Sequence, residues 1–135
     1  MLNRLTDSLD FHGHALTLRS ERQRLIASNI ANADTPGYVA RDINFAQALQ
    51  AATGGGAPAS QLAASRPGHI TSAAGTAGLG SALVYAAPSQ TNLDRNTVDM
   101  DRERASFTDN AVKYEATLRF IGANVRTTLS AITGQ

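Results

Sequence analysis

A heptad pattern near the C-terminus constrains the fold of this chain more than any other feature. Apolar or small side chains recur alternately four and three residues apart between residues 107 and 132. They are Phe107, Ala111, Tyr114, Leu118, Ile121, Val125, Thr128 and Ile132. The spacing predicts one helix of about 30 residues, roughly 45 Å long, with an apolar stripe along one side. Such a helix cannot bury its stripe alone, so the stripe requires a partner.

The N-terminal segment provides a matching element. Residues 4–31 also follow a helical pattern, with one stripe formed by Leu5, Leu9, Leu16, Ile26 and Ile30. We therefore expect the terminal helices to pair as a helical hairpin or coiled coil, which makes the fold class mainly α. Asp99 is the predicted N-cap of the second helix, because acidic residues then lie in its first turn. Residues 1–50 and 96–135 are thus predicted to form one helical core domain.

A sharp turn is predicted where the first helix stops. Pro36 fixes its own φ and Gly37 tolerates positive φ, so the pair fits the two central positions of a type II turn. Asn32 and Asp34 have short side chains that bond to backbone groups left unpaired at a helix end. Residues 39–45 then alternate between apolar and polar side chains. This alternation predicts a short extended segment, followed by one or two helical turns.

The middle of the chain, residues 51–95, differs in composition from both ends. Alanine and glycine make up nearly half of residues 51–90, and three prolines interrupt them. This composition predicts an irregular, flexible loop or insertion that covers a neighbour or stays mobile until assembly. Residues 82–85 are its best strand candidate.

Composition excludes several classes of function. The chain has no cysteine, which excludes disulfides, thiolate metal sites and a cysteine nucleophile. Lysine and arginine number 12 and aspartate and glutamate 11, so net charge gives no reason to expect nucleic acid as a partner. We expect no cleaved signal peptide, because the N-terminus lacks a basic region followed by an apolar run, and no membrane span.

No set of residues predicts catalysis, a cofactor or a metal. The acidic residues are scattered over turns and helix starts, and there is no glycine-rich phosphate loop. His12 and His14 point to different sides of a helix, and no third ligand stands at metal-binding spacing. A charged cluster at residues 19–24 is more consistent with a solvated or interface-rim face than with phosphate binding. We therefore expect a protein that is not an enzyme.

The turn region also carries a long motif. Its members are Ser28, Asn29, Ile30, Ala31, Asn32, Thr35, Pro36, Gly37 and Tyr38. They match the pattern S-N-(I/L)-A-N-x-x-T-P-G-(Y/F), and the chain thereby resembles the bacterial flagellar rod and hook family. Residues 9–12, 40–45 and 96–101 resemble the members of that family that form the proximal rod.

The resemblance implies a structural subunit of the flagellar basal body, in the periplasmic rod that serves as drive shaft and export channel for motility. It implies type III export without a cleaved signal, helical self-association, and contact with other rod proteins, the MS ring, its rod adaptor and the export apparatus. In this interpretation the stripe is an assembly seam, and the terminal helices order on assembly. A soluble coiled-coil adaptor or secretion chaperone is the alternative, because it would share the heptad.

Overall fold

The computed structural model describes residues 2–54, 82–85 and 93–134. Helix α1 spans Leu2–Ala31, strand β1 Arg41–Ile43, helix α2 Phe45–Ala52, strand β2 Leu83–Tyr85 and helix α3 Met100–Thr133. The predicted mainly α fold with two long terminal helices is confirmed. Residues 55–81 and 86–92, most of the predicted loop, lie outside the described residues.

Helix α3 has well-defined ends. The Asp99 carboxylate accepts hydrogen bonds from the backbone N–H groups of Asp101 and Arg102, at 3.1 and 3.2 Å. Asp99 is therefore the N-cap, as predicted, and the acidic side chains of Asp101 and Glu103 lie in the first turn. The helix stops at Gly134, which adopts the left-handed conformation with a φ of 73°.

A two-stranded ribbon and a short helix pack on the middle of α1. Strands β1 and β2 are antiparallel, with Asp42 opposite Val84 in the centre. Both strands fall where the sequence predicted extended structure. The core beneath them consists of four buried side chains and four half-buried ones around them. The buried ones are Leu18, Ile43, Ala48 and Ala82, and the half-buried ones are Leu25, Phe45, Leu49 and Leu83. This small core anchors the post-turn segment to α1.

Helices α1 and α3 run antiparallel, and the row of α3 that faces α1 is polar. We call it the polar seam; its members lie seven residues apart and are Glu103, Asn110, Thr117 and Asn124. Asn110 is fully buried and donates to the Arg19 carbonyl at 2.9 Å and to Gln23 Oε1 at 2.6 Å. Farther along, Asn124 donates to Ser8 Oγ at 3.3 Å. Hydrogen bonds therefore hold the register of the hairpin.

The apolar stripe of α3 lies to the side of this interface. The pairing of the helices is as expected, but the expected contact through the stripe is not seen. Residues four positions after each seam member are rotated about 40° from it, and residues one position after it about 100°. The first set, Phe107, Tyr114, Ile121 and Thr128, is half-buried or just exposed; the second, Ala111, Leu118, Val125 and Ile132, is exposed. The hydrogen bonds of the polar seam, together with those that hold the start of α3, determine which side of α3 faces α1. The apolar periodicity does not.

Candidate functional site: the motif turn and the exposed stripe

The turn after α1 is held by the motif residues themselves. Asn32 donates from its side chain to the Ser28 carbonyl at 2.8 Å and accepts from Thr35 Oγ1 at 3.2 Å. Gly37 has a φ of 72°, and the Tyr38 N–H donates to the Thr35 carbonyl at 3.3 Å. This is the geometry of a type II turn with glycine at its third position. The chain therefore reverses within a few residues of the end of α1.

Asn29 connects α1 to the two elements beside it. Its side chain is 1% exposed. The amide nitrogen donates to the Arg41 carbonyl at 2.8 Å and to Glu103 Oε2 at 3.2 Å. The amide oxygen accepts from the Arg41 N–H at 3.1 Å and from the Tyr38 hydroxyl at 3.2 Å. Two donors and two acceptor positions are thus all used, which makes this buried amide a fixed junction of α1, β1 and α3.

Asn96 fastens the turn to the start of α3. Its side-chain nitrogen lies 3.0, 2.7 and 2.9 Å from the carbonyl oxygens of Asn32, Ala33 and Thr35. Its oxygen accepts from the Val98 N–H at 2.8 Å. The residue is 5% exposed. The buried amide of Asn96 thus fixes the distance between the end of α1 and the residues that precede α3.

Backbone bonds complete this connection. The Gly37 N–H donates to the Asp94 carbonyl at 2.7 Å, and the Thr97 N–H donates to the Tyr38 carbonyl at 3.0 Å. The Ala40 N–H donates to Thr97 Oγ1 at 2.8 Å. We call residues 28–41 together with residues 94–98 the clasp. Sequence reasoning found the first half from its turn residues and missed the role of Asn96 and Thr97. No local sequence signal predicts this role, because the bonds across the clasp join residues 57 to 64 positions apart.

A polar cavity of about 310 Å³ lies behind the clasp, and the acidic side chains that line it have structural partners. Arg22 forms a bidentate pair with Asp42, at 2.8 and 2.9 Å, and this hydrogen bonding raises the pKa of Arg22. Burial raises the pKa of Glu103, while the hydrogen bond from Asn29 acts in the opposite direction. Asp99 caps α3. The acids that line this cavity therefore bond to the protein's own groups and fix elements in place.

His12 and the arginine cluster of α1 also contact other side chains of the chain, whereas His14 is exposed. The His12 ring stacks on Phe120, with centroids 6.1 Å apart, and meets Phe11 edge-on at 5.5 Å. Within the described ranges, no three side chains of His, Asp or Glu are grouped to hold a metal ion. Arg24 pairs with Glu21, and the Arg19 guanidinium lies 4.3 Å from the centre of the Phe45 ring. Burial, followed by repulsion from Arg22, lowers the pKa of Arg19.

Exposed apolar surface follows most of α3. Phe107 is 39% exposed, Leu118 44%, Val125 48% and Ile132 77%, with Leu129 exposed beside them. Phe120 is also exposed, about 200° around the helix from Leu118. Near the turn, a groove of about 430 Å³ opens between the helices. It is lined by Ala27, Ile30 and Ala31 of α1 and by Arg104, Phe107 and Thr108 of α3. An apolar surface this long is typical of a protein–protein interface. None of the described helices is long and apolar enough to cross a membrane.

Comparison with known proteins identifies the family. Residues 9–38 match the model for "Flagella basal body rod protein". The chain is 44% identical to the flagellar basal body rod protein FlgB of Proteus mirabilis (strain HI4320), over 98% of each chain. It is 43% identical to FlgB of Salmonella typhimurium (strain LT2), over 99% of each, and to FlgB of Escherichia coli (strain K12), over 93% of each. The chain belongs to the flagellar basal body rod protein family. The resemblance carried by residues 28–38 is thereby confirmed.

The region that matches the rod protein family ends where a structural element ends. The matched residues 9–38 contain most of α1 and end at Tyr38, the last residue of the type II turn. The FlgB relatives align over nearly the whole chain, so the aligned region also includes α3. The family motif therefore corresponds to the first half of the clasp, and its polar members make the bonds described above.

Proposed function

We propose that this chain is a structural subunit of the bacterial flagellar basal-body rod, at its proximal end, and that it assembles helically with other axial proteins. The observation that carries the proposal is the similarity to FlgB proteins over nearly the whole chain. The proposed assembly surface is the exposed apolar stripe, which runs roughly 38 Å along α3 from Phe107 to Ile132. Burial of this stripe between subunits drives assembly, because each Å² of apolar surface removed from water contributes about 25 cal/mol.

The partners and location follow from the rod role. The chain is exported through the flagellar type III apparatus without a cleaved signal and joins a rod in the periplasm. Its neighbours there are other rod proteins and, at the proximal end, the MS ring and its rod adaptor. The rod acts as drive shaft and as export channel. Support for these points is the membership of the rod protein family and the similarity to FlgB proteins.

The clasp has a separate role in this proposal. Residues 1–50 and 96–135 form the inner core, and the segment between them is an insertion whose strand β2 returns to pair with β1. The clasp sets the angle at which the outer part of the chain leaves the inner helices, since it binds both ends of the segment between residues 38 and 93. Support comes from Asn96, whose buried amide bonds from one half of the clasp to the other. Asn29 adds to this, because its amide joins the first half of the clasp to Glu103 of α3.

A pair of substitutions in the encoding bacterium tests the proposal. Val125→Asp places a charge in the exposed stripe, and Thr127→Asp places the same charge at an exposed position about 200° around the helix. Val125→Asp should abolish swimming and remove the chain from purified basal bodies, whereas Thr127→Asp should retain both. Immunoblots of whole cells control for the amount of protein.

Two results would contradict the proposal. Normal swimming of the Val125→Asp strain would show that the stripe has no role in the rod. A wild-type chain found as a stable cytosolic dimer, and absent from basal bodies, would favour the alternative of a soluble coiled-coil adaptor or secretion chaperone.

A further inference from the structure

The groove at the turn end of the hairpin and the apolar row at its open end are complementary surfaces. We infer that the C-terminal half of α3 of one copy seats in the groove of a second copy, so that subunits join head to tail. This inference rests on the proposed rod function and names the partner of the stripe. It goes beyond assembly as such, because it specifies which surface meets which.

The groove is shaped to receive a helix with aliphatic side chains. Ala27 and Ala31 are small and exposed, which leaves room between α1 and the Phe107 ring. Ile30 provides an apolar floor, and the whole depression measures about 430 Å³. A helix packs closely where small residues open a gap between the ridges of its neighbour. The occupant is therefore a helix that presents a row of branched aliphatic residues.

The open end of α3 presents such a row, and it cannot reach the groove of its own chain. Leu118, Val125, Leu129 and Ile132 are 44%, 48%, 58% and 77% exposed. Val125 lies 21 residues after Arg104, a groove residue, and therefore roughly 32 Å away along the helix. The row can fill a groove of this kind only on another molecule.

Charge also favours a second copy as the occupant. The last turn of α3 has no basic side chain, so the negative partial charge of its terminal carbonyl groups is not compensated there. Arg104 is exposed at the edge of the groove. When the end of one α3 enters the groove of another copy, this guanidinium lies beside the negative helix end.

The head-to-tail arrangement follows from symmetry. A reciprocal two-fold pair would place the same groove and row against each other twice and would close after two subunits. A contact between different surfaces on the two copies leaves one groove and one row free, and so propagates. The proposed rod role requires the second arrangement.

Disulfide trapping tests the inference directly, because the chain has no native cysteine. Ala27→Cys and Val125→Cys are combined in one chain, and the matched control combines Ala27→Cys with Thr127→Cys. Concentrated purified chain and basal bodies from the encoding bacterium are both oxidised with copper phenanthroline and separated without reductant. The first variant should give a ladder of dimers, trimers and longer products in at least one preparation. The control yield should be about tenfold lower, because Thr127 lies on the far side of the helix.

Each other outcome overturns the inference. Dimers without longer products indicate a reciprocal pair, and a cross-linked product that mass spectrometry identifies as another protein indicates a different occupant. Monomer alone in both preparations shows that the groove does not receive α3. A different result would contradict the proposed function, namely immunoblots that find no chain in the basal bodies. In that case, a ladder from the purified chain would still support the head-to-tail contact.

Discussion

Asn29 illustrates how one side chain substitutes for a backbone partner. Its amide bonds to both the N–H and the carbonyl of Arg41, as a neighbouring strand would, and also to Tyr38 and Glu103. Aspartate at this position would lack both donors and would face the Glu103 carboxylate, and alanine would leave buried polar groups unpaired. The family motif therefore requires asparagine here for its hydrogen-bonding pattern.

Two glycines give a matched test of the turn geometry. A Cβ added at Gly37 or at Gly13 meets no atom within 4 Å, so neither substitution creates a clash. Gly37 has a φ of 72°, however, whereas Gly13 lies within α1. Gly37→Ala should lower the free energy of unfolding by about 1 kcal/mol, because L residues are strained at positive φ. Gly13→Ala should raise it by about 0.5–1 kcal/mol. Urea denaturation measures both, and equal effects of the same sign would rule out the turn assignment.

Glu103, which accepts a hydrogen bond from Asn29 of the clasp, makes the stability of the chain depend on pH. Burial raises its pKa in the folded chain above the ordinary value of 4.5. The folded state therefore binds more protons between the two pKa values, and wild-type stability falls as pH rises through the folded-state pKa. Glu103→Gln retains an acceptor for Asn29 and removes the charge. The variant should melt at a higher temperature than wild type at pH 7, and the difference should shrink below about pH 4. Thermal melts at both values measure this; a difference independent of pH would argue against it.

At the scale of elements, the polar seam provides specificity at the expense of stability. Asn110 is 0% exposed, and its Oδ1 has no hydrogen-bond partner among the described residues. A polar residue at such a position selects one register of a helix pair, and an apolar residue would stabilise more registers. The seam thus keeps α1 and α3 aligned while their contact stays weaker than an apolar seam would be.

Substitution of Asn110 measures that trade-off. Asn110→Leu removes a buried, unpaired oxygen and adds apolar burial, so the free energy of unfolding should rise by about 1 kcal/mol. The midpoint in urea should increase with an unchanged m-value. Thr117→Val, seven residues along the seam, is the companion variant, because the Thr117 hydroxyl bonds within its own helix, to the Lys113 carbonyl at 2.8 Å. A decrease for Asn110→Leu would show that its two donated bonds outweigh the unpaired oxygen.

The positions of the helices were largely predictable from the sequence. Which side of each helix faces the other was not. Periodicity placed both long helices, and the preference of aspartate for N-caps placed the start of α3 at Asp99. Periodicity does not show which neighbour an apolar stripe meets, so it could not reveal that Asn110 rather than Leu118 faces α1. The bonds of Asn96 join residues more than 60 positions apart, and no local pattern encodes them.

At the scale of the whole molecule, the described part of the chain buries few large apolar side chains. Its buried apolar residues number eight, four of which are alanine, and long apolar side chains of α3 stay exposed. Net stability is a small difference between burial and lost conformational entropy, so a small core leaves the helix ends weakly held. Neighbouring subunits then contribute a large share of the order of α1 and α3.

This balance predicts a change of helix content on assembly. The purified monomer should show less helix by far-UV circular dichroism than the same chain in polymerised rods, because assembly provides the missing burial. Melting temperature should also rise with protein concentration. A dilute monomer that is as helical as the rod, and that melts in one sharp transition, would contradict the prediction.

The hydrogen bond between the Gly37 N–H and the Asp94 carbonyl has a consequence for the evolution of the chain. It joins the two ends of the segment between residues 37 and 94. The distance from the end of α1 to the start of α3 therefore stays the same whatever the number of residues in that segment. Because closing a longer loop adds little entropic cost, lineages can lengthen or shorten that segment without moving α1 or α3. The size of the outer part and the geometry of the inner helices are thereby free to evolve independently.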